Sequence, residues 1–422
     1  MINNKSIINV NESTFSTEFR KPLYDSYCFS NIPGTIEKLL TGHTDKKKLP
    51  DDTTPNKEYD KVVLFFVDAF GWRFFERFQD QYPTLKRFVD HGIVSKITSQ
   101  FPSTTAAHVT TIHTGKSVGQ SGIFEWYYYE PKLDMMIAPL LFSKAGDPER
   151  CTLTGIIEPS QIYPNDSFYE RLSEQDINTY LFQSTDYTPT PYGNVVTKGV
   201  KNVNAYVNVT SALSDLSNAV IQENGKAYYY FYYGDIDTAG HKFGPDSSEL
   251  ENVASNFFEN LEKLFIDLVK GQCGNTLMLM TADHGQTSTD PATTIYLNKV
   301  LPEIINWTKT NKQGELLVVG GSCRDMFLYI KDEYIALALS TLRELLRGVA
   351  EVYLVEDLMD QGFLGRDLSE ELKGRIGNIC VLPFKNNSVF WLEEGKFIQK
   401  FYGHHGGLTP DEMDTIFLSL EL

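Results

Sequence analysis

Three apolar runs that each lead into an aspartate constrain the fold most. VVLFFVD ends at Asp68, AYYYFYYGD ends at Asp235 with Asp237 just beyond, and TLMLMTAD ends at Asp283. An apolar run without polar alternation suits a strand covered on both faces, which is the environment of a parallel sheet. Between the runs lie segments of helical spacing. Leu250, Val253, Phe257, Leu261, Leu264 and Leu268 recur in steps of three and four and form one buried stripe. Such alternation predicts an α/β fold: a doubly wound, mainly parallel sheet with helices on both faces.

The texture changes at both ends of this pattern. Residues 1–58 are polar and punctuated and read as an N-terminal extension packed on the core, which itself occupies 59–314. Over 315–395, VVGGSCRDMFLYI, AEVYLVE, NICVLPF and SVFWL surround a helical segment and predict a small inserted α+β subdomain. Residues 396–422 then return to the core and close on the strand IFLSLEL.

Composition removes several functions. A formal net charge of −17 argues against a general nucleic-acid surface, because phosphates would be repelled over long range. No stretch approaches the roughly 20 uninterrupted apolar residues of a membrane helix, so no membrane partner is expected. The opening MINNKSIINVNESTF lacks a basic region leading into an apolar one, and the five cysteines show no CxxC pair. A cytoplasmic location is the expectation from both. A small anionic substrate would need local positive charge, which metal ions supply.

Ligands of open parallel sheets bind beyond the carboxyl ends of the strands. Asp68, Asp237 and Asp283 stand at such ends. Asp237 and His241 are one helical turn apart, Asp283-His284-Gly285 offers adjacent donors on a tight turn, and Gly403-His404-His405-Gly406-Gly407 offers two imidazoles. A mixed Asp/His set without thiolates suits zinc, with manganese or iron as alternatives. Each short motif alone reads as a cap or a loop; their convergence on one sheet edge is what points to chemistry. In FPSTTAAHVTTIHTG a strand ends, Pro102 forces an extended path, and Ser103, Thr104 or Thr105 opens a helix. Any of the three can be a helix cap, and any can be a nucleophile facing a helix N-terminus that favours an anion.

VVLFFVDAFG, the segment from Thr105 to Thr114-Gly115, DTAGHKFGP, TADHG and HHGG, in this order, resemble the alkaline phosphatase superfamily in its branch of type I phosphodiesterases and nucleotide pyrophosphatases. The resemblance runs from about residue 60 to the C-terminus. It implies a two-metal hydrolase of phosphate esters, acting on phosphodiester or nucleotide pyrophosphate-type substrates through a covalent phospho-threonine. By position it implies one metal on Asp68, Thr105, Asp283 and His284 and the other on Asp237, His241 and His405, with Thr105 as nucleophile. His405 is chosen over His404 because it precedes the Gly-Gly pair.

Two departures bear on the substrate. The phosphate-binding Asn of the nucleotide pyrophosphatases falls, by count, at Trp126, with Glu125 beside it, and the aromatic residue that follows the family's nucleophile is Ala106 here. Tyr232 matches a family aromatic position and is either half of a clamp or a core tyrosine of a Tyr-rich strand. His108, a turn beyond Thr105, is either a phosphate contact or satisfied by local packing, and Arg324 either reaches over the site from the inserted subdomain or pairs with a surface carboxylate. A phosphomonoesterase, a phosphonate hydrolase and a binding module that has lost catalysis are the alternatives. The sulfatases are set aside because no Cys/Ser-x-Pro-x-Arg context surrounds Thr105.

Overall fold

The computed structural model describes residues 1–422. Six strands of the central sheet come first in the chain: β1 (Lys61–Val67), β2 (Ile93–Thr98), β3 (Asn178–Ser184), β4 (Asn202–Tyr206), β5 (Ala227–Tyr233) and β6 (Thr276–Thr281). Four short strands follow, β7 (Gly320–Gly321), β8 (Met326–Leu328), β9 (Ala350–Leu354) and β10 (Ile379–Pro383), before β11 (Asp414–Glu421) returns to the centre. The seven-stranded sheet has the order β2-β11-β6-β1-β5-β3-β4. Only β11 runs antiparallel to its neighbours, so the sheet is mainly parallel.

The apolar runs behave as strands buried on both faces must. Val62, Leu64 and Phe66 point into one core, together with the helices Ile32–Thr41 and α1 (Thr105–Thr114). Val63, Phe65 and Val67 point into the other, with the helices Val209–Gln222 and Ser248–Leu261. Successive side chains on a strand alternate faces, so a run that is apolar throughout is satisfied only when both faces are covered. The helix Asn4–Glu12 lies against β2 and is tied to it by Asn3, whose side chain donates to Ser95 Oγ.

Strands β7 to β10 form a separate antiparallel sheet of order β7-β8-β10-β9 with its own apolar cluster and the helix Ile335–Leu345. The sequence reading did not foresee a second small sheet, of three strands between Tyr128 and Lys144. No helix of the chain is long and apolar enough to cross a membrane.

Strands β6, β1 and β5 are adjacent and parallel, with Thr281 beside Phe66 and Val67 beside Tyr233. Their carboxyl ends therefore lie side by side. That register alone brings Asp283, Asp68 and the start of α2 (Asp235–Phe243), which carries Asp237, to one edge of the sheet.

Candidate active site

Directly after β1 the chain turns hard: Ala69 takes a φ of 61°, a left-handed conformation that a non-glycine residue adopts at a cost. The turn aims the Ala69 amide at Asp283, donating to Oδ1 at 3.0 Å. Gly71 and Gly285 meet in this turn, where a Cβ on Gly71 would fall 2.6 Å from the Gly285 Cα. Gly71 is thus needed for the close backbone approach, and a Cβ on Gly285 would fall 2.3 Å from the Asp411 carbonyl oxygen. With the two turns packed together, Asp68, Asp283 and His284 present one ligand atom each within 4.8 Å of one another. His284 Nε2 lies 3.2 Å from Asp283 Oδ2 and 3.6 Å from Asp68 Oδ1.

Thr105 completes this group. Thr104, the residue before α1, has extended backbone but does not cap the helix; its hydroxyl donates to the Phe124 carbonyl at 2.8 Å. Ser103 donates to the Gly407 carbonyl at 2.8 Å. Two of the three hydroxyls are thus consumed by buried carbonyls. Only Thr105 turns to the carboxylates, its hydroxyl donating to His284 Nε2 at 3.3 Å. The first amides of α1 are left without a side-chain cap beside it, a setting that favours an anion.

A second group stands next to the first. Asp237 Oδ2 is 3.3 Å from His241 Nε2, one turn along α2, and Asp237 Oδ1 is 3.7 Å from His405 Nε2. His405 is carried in by a short antiparallel pairing of Thr287–Ser288 with Gly403–His404, which ties the loop after β6 to the HHGG loop. The His284 and His405 rings stack at 3.6 Å, so the two groups share a wall. Gln286 donates to Asp237 Oδ1 at 2.6 Å, and Gly240 makes room for it: a Cβ there would collide with the Gln286 side chain.

Both groups fit metal ions on their hydrogen bonding. Nδ1 of His284, His241 and His405 donates to the carbonyls of Gly285, Gly403 and Ser103 at 3.0, 2.8 and 2.9 Å. A carbonyl can only accept, so each Nδ1 carries a proton and Nε2 is the ring atom turned to the carboxylate side. Asp68 Oδ1 and Asp283 Oδ2 are buried without any hydrogen-bond donor. Burial, then the charges of Asp283 and Asp237, push the Asp68 carboxyl well above the usual range, while burial and then His284 drive His405 well below it. Crowded carboxylates facing imidazole Nε2 atoms are a donor set of the kind that holds divalent cations. Tyr232 donates to Asp68 Oδ2 and fixes the carboxylate from behind. Tyr232→Phe is expected to weaken metal binding at this group by about tenfold. Competition against a chelator measures it, and unchanged affinity would remove the role.

The groups open into a cavity of about 510 Å³. Trp126, Tyr187, Tyr192, Tyr232, Phe397 and Phe401 line its walls, and Trp126 is 39% exposed at the rim. Tyr232 meets Tyr187 edge to face at 5.4 Å, so its ring joins the wall while its hydroxyl serves Asp68. Two expectations are corrected. His108 does not reach the cavity: it is fully buried, its Nδ1 on the Thr104 carbonyl at 2.7 Å and its Nε2 accepting the Gln100 amide at 2.9 Å. It latches α1 to the chain after β2, and burial holds it neutral, with a pKa lowered to about 4. Arg324 does not reach over the site either. It is wholly buried, bonded at 2.9 Å from both Nε and Nη2 to the Glu412 carboxylate and engaged with the Pro383, Phe384 and Asn387 carbonyls. Every donor it owns is spoken for. His404 lines the cavity but belongs to neither group, its Nδ1 accepting the His405 amide at 3.0 Å.

The family model of type I phosphodiesterases / nucleotide pyrophosphatases matches residues 62–407. Ectonucleotide pyrophosphatase/phosphodiesterase family member 7 of rat is 23% identical over 236 residues, 54% of this chain and 50% of that protein. The human counterpart is 24% identical over 54% of this chain and 48% of its own length. The chain thus spans about half the length of these curated relatives. Among solved structures, an inactive variant of murine ectonucleotide pyrophosphatase / phosphodiesterase 5 in complex with AMP superposes with a TM-score of 0.65 at 16% identity, covering 85% of this chain and 87% of that one. Phosphonoacetate hydrolase from Sinorhizobium meliloti, in complex with phosphonoacetate, gives 0.60 at 16%, covering 87% and 92%. At such identities the likeness is one of fold.

Proposed function

Because the chain belongs to the type I phosphodiesterase / nucleotide pyrophosphatase family, we propose that it hydrolyses phosphodiester or nucleotide pyrophosphate-type substrates in two steps through Thr105. The observation that carries this reading is the placement of the Thr105 hydroxyl, at the uncapped start of α1 and against His284 of the Asp68 group. Asp68, Asp283 and His284 with Thr105 would hold one divalent ion, and Asp237, His241 and His405 the other. Such ions, when bound, supply Lewis acidity and compensate the charge of attacking and leaving oxygens. The chain's own residues do the rest. The α1 backbone holds Oγ1 toward the cavity, and its free amides face the phosphoryl oxygens. Oγ1 gives up its proton and bonds to phosphorus as the ester P–O bond breaks, and the leaving oxygen departs with its electron pair and takes up a proton. Water then bonds to phosphorus and gives up a proton as the P–Oγ1 bond breaks, and that proton restores the Thr105 hydroxyl. Tyr232 and Gln286 keep Asp68 and Asp237 from turning away between steps.

The cavity supports a diester over a bare phosphate ester. It extends far beyond the space a phosphoryl group fills, and its aromatic wall gives a second ester group a surface to pack on. A panel of aryl phosphate diester, aryl phosphate monoester, nucleotide 5′-aryl ester and phosphonate substrates, run on chelated protein with Zn, Mn or Mg restored, tests the reading. Turnover is expected to vanish on chelation, to return with metal, and to favour the diesters. Activity that survives chelation, or inertness toward every substrate with every metal, counts against it.

A further inference from the structure

Two buried carboxyl groups meet on the Thr105 side of the cavity, and no cation answers them. Glu125 is 1% exposed and Asp325 is fully buried, and their side chains lie in hydrogen-bond contact. Glu125 accepts the amides of Trp126 and Tyr127, and Ser322 donates to Asp325 Oδ1 at 2.6 Å. Asp325 Oδ2 has no donor at all. Arg324, next in the chain, is turned away and saturated by Glu412 and three carbonyls. Two carboxylates in contact within a dry site cannot both ionise, so the pair keeps one proton and one net negative charge. Burial first, with the neighbouring carboxyl second for Asp325, lifts Glu125 to about 7 and Asp325 well above the carboxylate range.

The pair stands beside the start of α1, at the cavity that Thr105 lines. Thr104 bonds the Phe124 carbonyl, so residue 125 follows directly on the start of α1. Glu125 lines the same cavity as Thr105 and lies within the field of His284, the partner of the Thr105 hydroxyl. Asp325 backs it from beneath the HHGG loop, where a Cβ on Gly406 would fall 2.5 Å from Asp325 Oδ1.

We propose that Glu125, backed by Asp325, sets the preference for diesters over monoesters: it holds negative charge against the phosphoryl group at Thr105, which a monoanionic diester tolerates and a dianionic monoester does not. This rests on the hydrolytic reading above. A purely structural Glu125 would tie its loop through the Trp126 and Tyr127 amides and leave selectivity alone.

The test compares wild type, E125Q and E125D, all metal-loaded, with bis(4-nitrophenyl) phosphate and 4-nitrophenyl phosphate at pH 8. E125Q is expected to raise the monoester-to-diester ratio of kcat/KM by about tenfold or more, the scale of one unit charge acting at a few ångström under an effective protein dielectric. E125D, which keeps the charge, is expected to stay near the wild-type ratio. Calorimetric binding of inorganic phosphate reads the same repulsion without turnover and should tighten about tenfold in E125Q. An unchanged ratio and unchanged phosphate affinity in E125Q would overturn the proposal, as would a rise of the ratio in E125D or loss of a bound metal in E125Q. If the wild type hydrolyses neither ester, the hydrolytic reading fails, and the phosphate binding of E125Q against wild type still decides the charge effect.

Discussion

Replacing Thr105 with alanine is expected to lower kcat/KM toward phosphodiesters by at least about 10⁴-fold while metal binding persists, the scale seen when a covalent nucleophile is lost. The reason is local. Ser103 and Thr104 cannot substitute, because their hydroxyls are buried on the Gly407 and Phe124 carbonyls. The metal groups survive because Asp68, Asp283 and His284 converge without Thr105, as do Asp237, His241 and His405. Metal analysis of the purified variant, beside rapid-quench kinetics of the wild type, checks both halves. A phosphorylated Thr105 peptide should appear in the quenched wild type. Substantial turnover by the variant would end the covalent scheme, and loss of both metals would show that Thr105 acts on the fold of the site and not on the reaction.

The second large effect is on stability. Arg324→Met is expected to cost about 3–5 kcal/mol, because Glu412 is left as an uncompensated charge in a site without water. Glu412 is fully buried and, besides Arg324, accepts the amide of Gly407 at 3.0 Å and the hydroxyl of Thr409 at 2.6 Å. The Arg324 guanidinium reaches across to the carbonyls after β10. The pair therefore joins the small sheet to the loop that carries His405. Urea unfolding measures the loss, and metal stoichiometry reports its second consequence: the Asp237–His241–His405 group should release its ion before the Asp68 group does. Stability within about 1 kcal/mol of wild type would mean that Glu412 finds another partner or a proton.

Some of this was legible in the chain itself. Apolar runs ending in aspartate predict buried parallel strands because only a sheet covered on both faces tolerates them, and β1, β5 and β6 are such strands. Their order across the sheet was not legible. Neither was the small sheet between Tyr128 and Lys144, whose strands are too short for a period to emerge. Gln286, which steadies Asp237, passed unnoticed although it lies two residues after His284; a glutamine beside a DHG motif has no pattern of its own. For Arg324 and His108 the chain leaves a site role and a packing role open for one cause. Near a motif either residue can serve the site or be satisfied elsewhere, and nothing local reveals that the Arg324 donors are matched 59 to 88 residues further along the chain, or the His108 ring by a carbonyl one turn back.

Glu125 shows the same division most clearly. Its place beside the counted Asn position is a fact of spacing, whereas its lack of any cation, its contact with Asp325 and its place in the cavity of Thr105 arise only once residues 200 apart are packed together. The sequence by itself determined the α/β architecture and the inventory of carboxylates, imidazoles and hydroxyls at the strand ends. Those follow from short-range periodicity and from residue chemistry. The tertiary structure decided which hydroxyl is free, which imidazole nitrogen is turned to the carboxylates and which buried charge has a partner. Such choices depend on long-range contacts and on the exclusion of water, and neither is written in local spacing.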